Sequence, residues 1–190
     1  MNHETLILGI GNPLLTDEGA GIHALHLLQS AYPDIGPDIP YLTFLDGGTL
    51  SFTLASWIEN CDNLIIFDAA QLSRPAGTVN TYVGSDMDEF LGSCKRSAHE
   101  VGLLDLMDIA RLTEHLPENR ALIGIQPETI DWGMSPTPCV QNALGQAVNE
   151  AVNLIKQWHK INADQDNSAP NPYAEEISEA LPVSGVKGIS

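Results

Sequence analysis

Two adjacent carboxylates, Asp17 and Glu18, stand in a stretch crowded with Gly9, Gly11, Gly19 and Gly21. Glycine lets another group approach the backbone closely, so carboxylates in such a loop are placed to meet a ligand. Two readings compete for the loop. Gly9-Ile10-Gly11 after an apolar run could begin the dinucleotide fingerprint G-x-G-x-x-G, but its third glycine position holds Leu14. Asp17 and Glu18 would also put negative charge where a helix N-terminus should meet a pyrophosphate. The other reading makes Asp17 an N-cap, contributing about 1 kcal/mol to the following helix. Neither accounts for Glu18.

Company for these carboxylates comes from Asp68, which follows the run Asn63-Leu64-Ile65-Ile66-Phe67, and from Asp46, which opens Asp46-Gly47-Gly48-Thr49. Carboxylates at strand ends also serve simply as caps and turn residues. Two carboxylate oxygens with one imidazole nitrogen suit a borderline divalent ion such as nickel or zinc. His23, His26, His99, His115 and His159 all offer that imidazole, and residue type alone does not choose among them. His23 and His26 could pair on one helical face, but their helix runs away from the glycine loop. His99-Glu100-Val101-Gly102-Leu103 begins like the zincin motif H-E-x-x-H and ends in leucine. There is no G-x-S-x-G nucleophile elbow.

The elements that must position these groups alternate. Leu6 to Ile10 reads as a buried strand, followed by a helix over about 18–31 with Ile22, Leu25 and Leu28 on its apolar face. A Pro/Asp/Gly-rich loop leads to a strand over 41–45 and a short helix over 50–57. The apolar run 63–67 has the signature of a central strand buried on both faces. Thr78 to Val83 reads as a strand whose link from the preceding one is too short for a parallel crossover, so it is expected antiparallel at an edge. A short acidic helix or turn over 86–91 and a polar loop over 93–97 precede His99, which is expected just ahead of a helix over 103–114. A last strand over 121–125 and a long helix from Pro136 or Thr137 to about His159 complete the pattern. Residues 1–162 are expected to form one domain, and 163–190, rich in Asp, Asn, Ser, Pro and Glu, a flexible or loosely docked tail. Such alternation predicts a three-layer α/β/α sandwich with a mostly parallel sheet. If the first and third strands are neighbours, Glu18 and Asp68 meet at their carboxyl ends, where open α/β sheets bind ligands.

The pattern Gly9-x-Gly11-Asn12-x-Leu14-x-x-Asp17-Glu18-Gly19-x-Gly21, with Asp46-Gly47-Gly48-Thr49, Asp68-Ala69, His99, Pro127-Glu128 and Gly133-Met134-Ser135, resembles the hydrogenase maturation endopeptidases. It covers roughly residues 5–160; the family more often has Gly-Leu-Ser at the last motif. The resemblance implies a five-stranded sheet with one antiparallel strand, and removal of a C-terminal peptide from the nickel–iron hydrogenase large-subunit precursor after nickel insertion. It further implies that Glu18, Asp68 and His99 contact the metal, nickel carried by the precursor itself, for which other divalent ions could substitute. Gly11, Asn12, Gly47 and Gly48 would shape the cleft. Catalysis would come from the metal or from a carboxylate base, with Glu18, Asp68 and Asp46 as the acids concerned. Two other functions are available to such a chain: a non-catalytic nickel chaperone or assembly protein with the same ligands, and a nucleotide-binding domain.

Composition narrows the partners. Eight Lys and Arg against 25 Asp and Glu give a net charge of −17, which repels nucleic acid and anionic membrane. No stretch has the apolar length of a membrane helix. Met1-Asn2-His3-Glu4 does not open a signal peptide. Cys61, Cys94 and Cys139 are odd in number and lack metal or redox spacing, as expected of bystander thiols in a reduced, cytoplasmic chain. A monomer is expected.

Overall fold

The computed structural model describes residues 4–32, 35, 41–93 and 98–160, with the side chains of 98–101 excepted. The tail expected over 163–190, most of the loop 33–40 and the loop residues 94–97 lie outside the described residues. Five strands, β1 (Thr5–Gly9), β2 (Leu42–Asp46), β3 (Asn63–Ala69), β4 (Val79–Val83) and β5 (Asn119–Ile125), form one sheet in the order β2-β1-β3-β5-β4. Pairing is parallel except between β4 and β5. The short link after β3 therefore does what its length requires, turning the chain back as an antiparallel edge strand.

Helices α1 (Ala20–Ala31) and α5 (Pro138–Trp158) cover one face, and α2 (Ala55–Glu59), α3 (Ser85–Ser93) and α4 (Ala98–Leu112) the other. Strand β3 is buried along all seven residues, and its pleat divides them between the layers. Ile65, Phe67 and Ala69 join Leu25, Leu28, Val140, Leu144 and Val148. Leu64 and Ile66 join Ile58, Met87, Leu91, Leu103 and Leu106. The expected α5 stripe of Val140, Leu144, Val148, Val152 and Ile155 is buried throughout.

Three local expectations are corrected. The first helix does not start at Glu18: residues Thr16–Gly19 form a 3-10 turn, and Gly19 is the N-cap of α1. The expected helix over 50–57 is a 3-10 turn, Phe52–Leu54, followed by α2; Ser51 accepts a bond from Thr53 N at 3.3 Å and sets that start. His99 lies in the first turn of α4 rather than on a loop before it, because the helix begins at Ala98, five residues ahead of Leu103 where the apolar stripe starts. Among the described residues no helix is long and apolar enough to cross a membrane.

Candidate active site

The register places Gly9 of β1 level with Asp46 of β2 and with Phe67 of β3. The loops leaving these strands are tied together at once: Ile10 N donates to Phe67 O (2.9 Å), Gly11 N to Gly48 O (2.8 Å) and Gly47 N to Gly9 O (2.8 Å). Two glycines make the next step possible. Gly11 has φ +137°, and a Cβ there would lie 1.9 Å from Glu18 O. A Cβ on Gly21 would lie 2.3 Å from both Ile10 O and Phe67 O. With neither Cβ present, the start of α1 and the 3-10 turn before it settle directly on the ends of β1 and β3. That contact brings the Glu18 segment against the β3 end that carries Asp68.

Asp68 is fully buried. Both of its carboxylate oxygens and Oε2 of Glu18 are sealed from solvent. Carboxylates withdrawn from water in this way require cations or hydrogen-bond donors facing them. The 3-10 turn that carries Glu18 thus packs against the strand whose end carries Asp68. The backbone of His99 is placed at the start of α4, while its side chain lies outside the described residues. Among the described residues no group of three His, Cys, Asp or Glu is close enough to hold an ion. Asp46 is exposed at the end of β2, and its Oδ1 accepts from Gly48 N at 2.9 Å in a two-residue turn. Asn12 likewise accepts from Leu14 N at 3.0 Å, shaping the loop from within.

Asp17 does something the sequence did not suggest. It is fully buried, and it reaches across to the loop after β5 instead of capping α1. Its carboxylate accepts from Glu128 N (2.9 Å), Thr129 N (3.1 Å), Thr137 N (2.6 Å) and Thr137 Oγ1 (2.9 Å). Thr137 is the N-cap of α5, so the negative charge also sits at the positive end of a 21-residue helix. Thr16 adds to the junction: its N donates to Gly133 O at 2.7 Å, and its hydroxyl donates to Thr129 O and accepts from Asp131 N. Leu15 and Gly133 form a parallel bridge. The Gly133-Met134-Ser135 motif is therefore the docking partner of the Asp17 loop. The signal for this was Thr137-Pro138, an N-cap followed by proline at the first helical position, but nothing in the sequence paired it with Asp17.

Gln126, also missed, accepts from Leu72 N at 2.8 Å and so fixes the loop after β3 to the end of β5. Cys139 donates to Glu128 Oε2 at 3.4 Å. Cys61 is buried, and burial pushes its thiol up to about 12, which makes it inert at neutral pH. His23 on α1 is held below the usual histidine range, first by burial and then by neighbouring His26.

The same fold recurs in known proteins. A family model for hydrogenase maturation proteases matches residues 22–154. The chain is 33% identical over 172 residues to the hydrogenase expression/formation protein HupD of Rhizobium leguminosarum bv. viciae, covering 90% of this chain and 83% of that one. It is 32% identical over 152 residues to the hydrogenase 2 maturation protease of Escherichia coli K12, covering 80% and 90% respectively. Among solved structures, the hydrogenase maturating endopeptidase HybD from E. coli superposes with a TM-score of 0.74 at 30% identity, over 82% of this chain and 93% of that one. The HybD protease from Thermococcus kodakarensis does so at 0.67 and 31%, over 80% and 99%. With its glycine-shaped loop, its buried carboxylates and these relatives along most of its length, the chain belongs to the hydrogenase maturation proteases.

Proposed function

We propose that this protease acts in the cytoplasm on the large-subunit precursor of a nickel–iron hydrogenase, removing its C-terminal extension once nickel has been inserted. The observation that carries the reading is the burial of Asp68 at the end of β3 and of Glu18 Oε2 on the 3-10 turn packed against that strand. The precursor brings the ion, which supplies Lewis-acid polarisation at the scissile carbonyl. Glu18 and Asp68 offer it oxygen, and His99 an imidazole nitrogen, a donor set that fits nickel and admits other divalent ions. No thiolate belongs to the set, so the free enzyme binds nickel weakly and depends on the precursor's own ligands. Recognition of the ion thereby fixes the peptide bond in the cleft. Asp46, in water at the rim with Oδ1 engaged by Gly48 N, keeps Oδ2 to take a proton from the attacking water.

Mass spectrometry of precursor before and after incubation with the enzyme tests this. Nickel-loaded precursor should lose its C-terminal peptide, and precursor made under nickel starvation with chelator present should stay intact. Equal cleavage of both would eliminate nickel reading. Stoichiometric binding with no peptide released would leave a chaperone in place of an enzyme.

A further inference from the structure

The two loops joined by Asp17 present large apolar side chains to water beside the candidate active site. Leu14 is 49% exposed, Ile130 51%, Trp132 81% and Met134 74%. Scattered exposed hydrophobes are ordinary; these four are gathered by hydrogen bonding. Gly133, between Trp132 and Met134, donates to Leu14 O at 3.0 Å. Ile130 lies between Thr129 and Asp131, both bonded to Thr16. The backbone beneath is anchored by the fully buried Asp17 carboxylate, so the exposure belongs to a fixed surface. Trp and Met on an anchored, water-facing surface are what protein interfaces are enriched in.

Charge selects the occupant. Asp46, Glu128 and Asp131 are exposed on the loops at this end of the sheet, where Arg74 is the single cation among the described residues. A second copy of the chain, itself at −17, would bring like charge to an acidic rim. The chain's own residues 161–190 carry five carboxylates and one lysine and meet the same repulsion. We infer that the rim of Leu14, Ile130, Trp132 and Met134 docks a segment of the substrate precursor that carries apolar side chains together with Lys or Arg. This inference rests on the precursor-processing reading above and adds a binding surface outside the metal-contacting residues.

The test combines kinetics with photo-crosslinking on the full chain. With nickel-loaded precursor, Trp132→Ser combined with Met134→Ser should raise KM about tenfold or more while changing kcat much less, as loss of uniform binding does. Trp132→Phe should recover most of the loss, and moderate salt should raise KM for the wild type. With Trp132→p-benzoylphenylalanine, illumination should crosslink the enzyme to the precursor. Crosslinks to a second copy or to residues 161–190, or an unchanged KM in the double variant, would overturn the rim assignment while leaving precursor processing intact. Failure of the wild type to cleave the precursor would overturn both readings, which separates the two failures.

Discussion

Polar groups are buried at both ends of the sheet, and they are satisfied in different ways. At the amino ends of the strands, imidazole, hydroxyl and amide side chains serve one another in a row. His159 Nε2 lies 2.8 Å from Thr5 Oγ1, Asn63 Nδ2 donates to Thr5 Oγ1 at 3.0 Å, and Asn119 Nδ2 donates to Asn63 Oδ1 at 2.7 Å. One carboxylate near that end, Asp88, is held by Arg120 at 2.6 Å and Arg111 at 3.4 Å. At the carboxyl ends, Asp17, Glu18, Asp46, Asp68, Glu128 and Asp131 gather in or beside loops in which Arg74 is the only cation among the described residues. One of them, Asp17, is consumed by four donors from the opposite loop. Paired charge and an amide ladder mark one end, and the proposed ion contact belongs to the other, where carboxylates accumulate.

This contrast makes graded predictions. The largest effect belongs to Glu18→Gln and Asp68→Asn, each of which should slow precursor cleavage by about a thousandfold or more, roughly 4 kcal/mol of barrier. Because each swap is nearly isosteric, melting temperature should stay close to that of the wild type; thermal melts beside cleavage assays decide. A fall of many degrees would mean that these carboxylates support the fold, as those at the other end do.

Asp17→Ala comes next and should cost both properties. Stranding Glu128 N, Thr129 N and Thr137 N should lower stability by about 3 kcal/mol, and freeing the loop should slow cleavage. Urea denaturation with parallel kinetics measures the two together. Asn63→Ala breaks the ladder at the opposite end and should cost about 2 kcal/mol with cleavage kinetics unaltered. If its kcat falls as far as that of Asp17→Ala, the two ends are not independent.

The smallest effect is the pH-dependent one at Asp88. Hydrogen bonding from Arg120, aided by the charges of Arg120 and Arg111, holds its carboxyl below the usual carboxylate range. Its folded value therefore lies below its unfolded value of about 3.9. The stabilisation is present above that pH and is lost as pH falls through the lower folded value. Asp88→Asn should be about 1 kcal/mol less stable than wild type at pH 7, with the gap closing below about pH 4. A gap independent of pH would assign the effect to packing.

Much of this architecture could be read from local pattern, because local pattern is what decides it. The continuous run at 63–67 can be buried only between two layers, and the four-residue spacing of Val140, Leu144, Val148 and Val152 makes sense only on one helical face. The short link to Val79 forced an antiparallel edge. Gly11 and Gly21, expected to leave room for a ligand, are approached instead by the chain's own Glu18, Ile10 and Phe67 carbonyl oxygens. With β1 and β3 as neighbours, the segments that carry Glu18 and Asp68 are expected side by side, and the turn does pack on β3.

Asp17 shows where that reading ends. Its position before a helix satisfies every local rule for an N-cap, yet its partners lie 111 to 120 residues away. Only the parallel order β1-β3-β5 brings the loops after β1 and β5 within reach, and a carboxylate facing four donors there outweighs one weak bond to its own helix. The apolar rim is of the same kind. Leu14, Ile130, Trp132 and Met134 look like core residues in a list, and their exposure follows from how two distant loops meet. The sequence by itself determined the elements, the layers and the carboxylates at the strand ends, since these depend on periodicity and chain length. Tertiary structure alone decided which carboxylate holds loops together and which surface faces a partner, because those depend on distances between segments far apart in the chain.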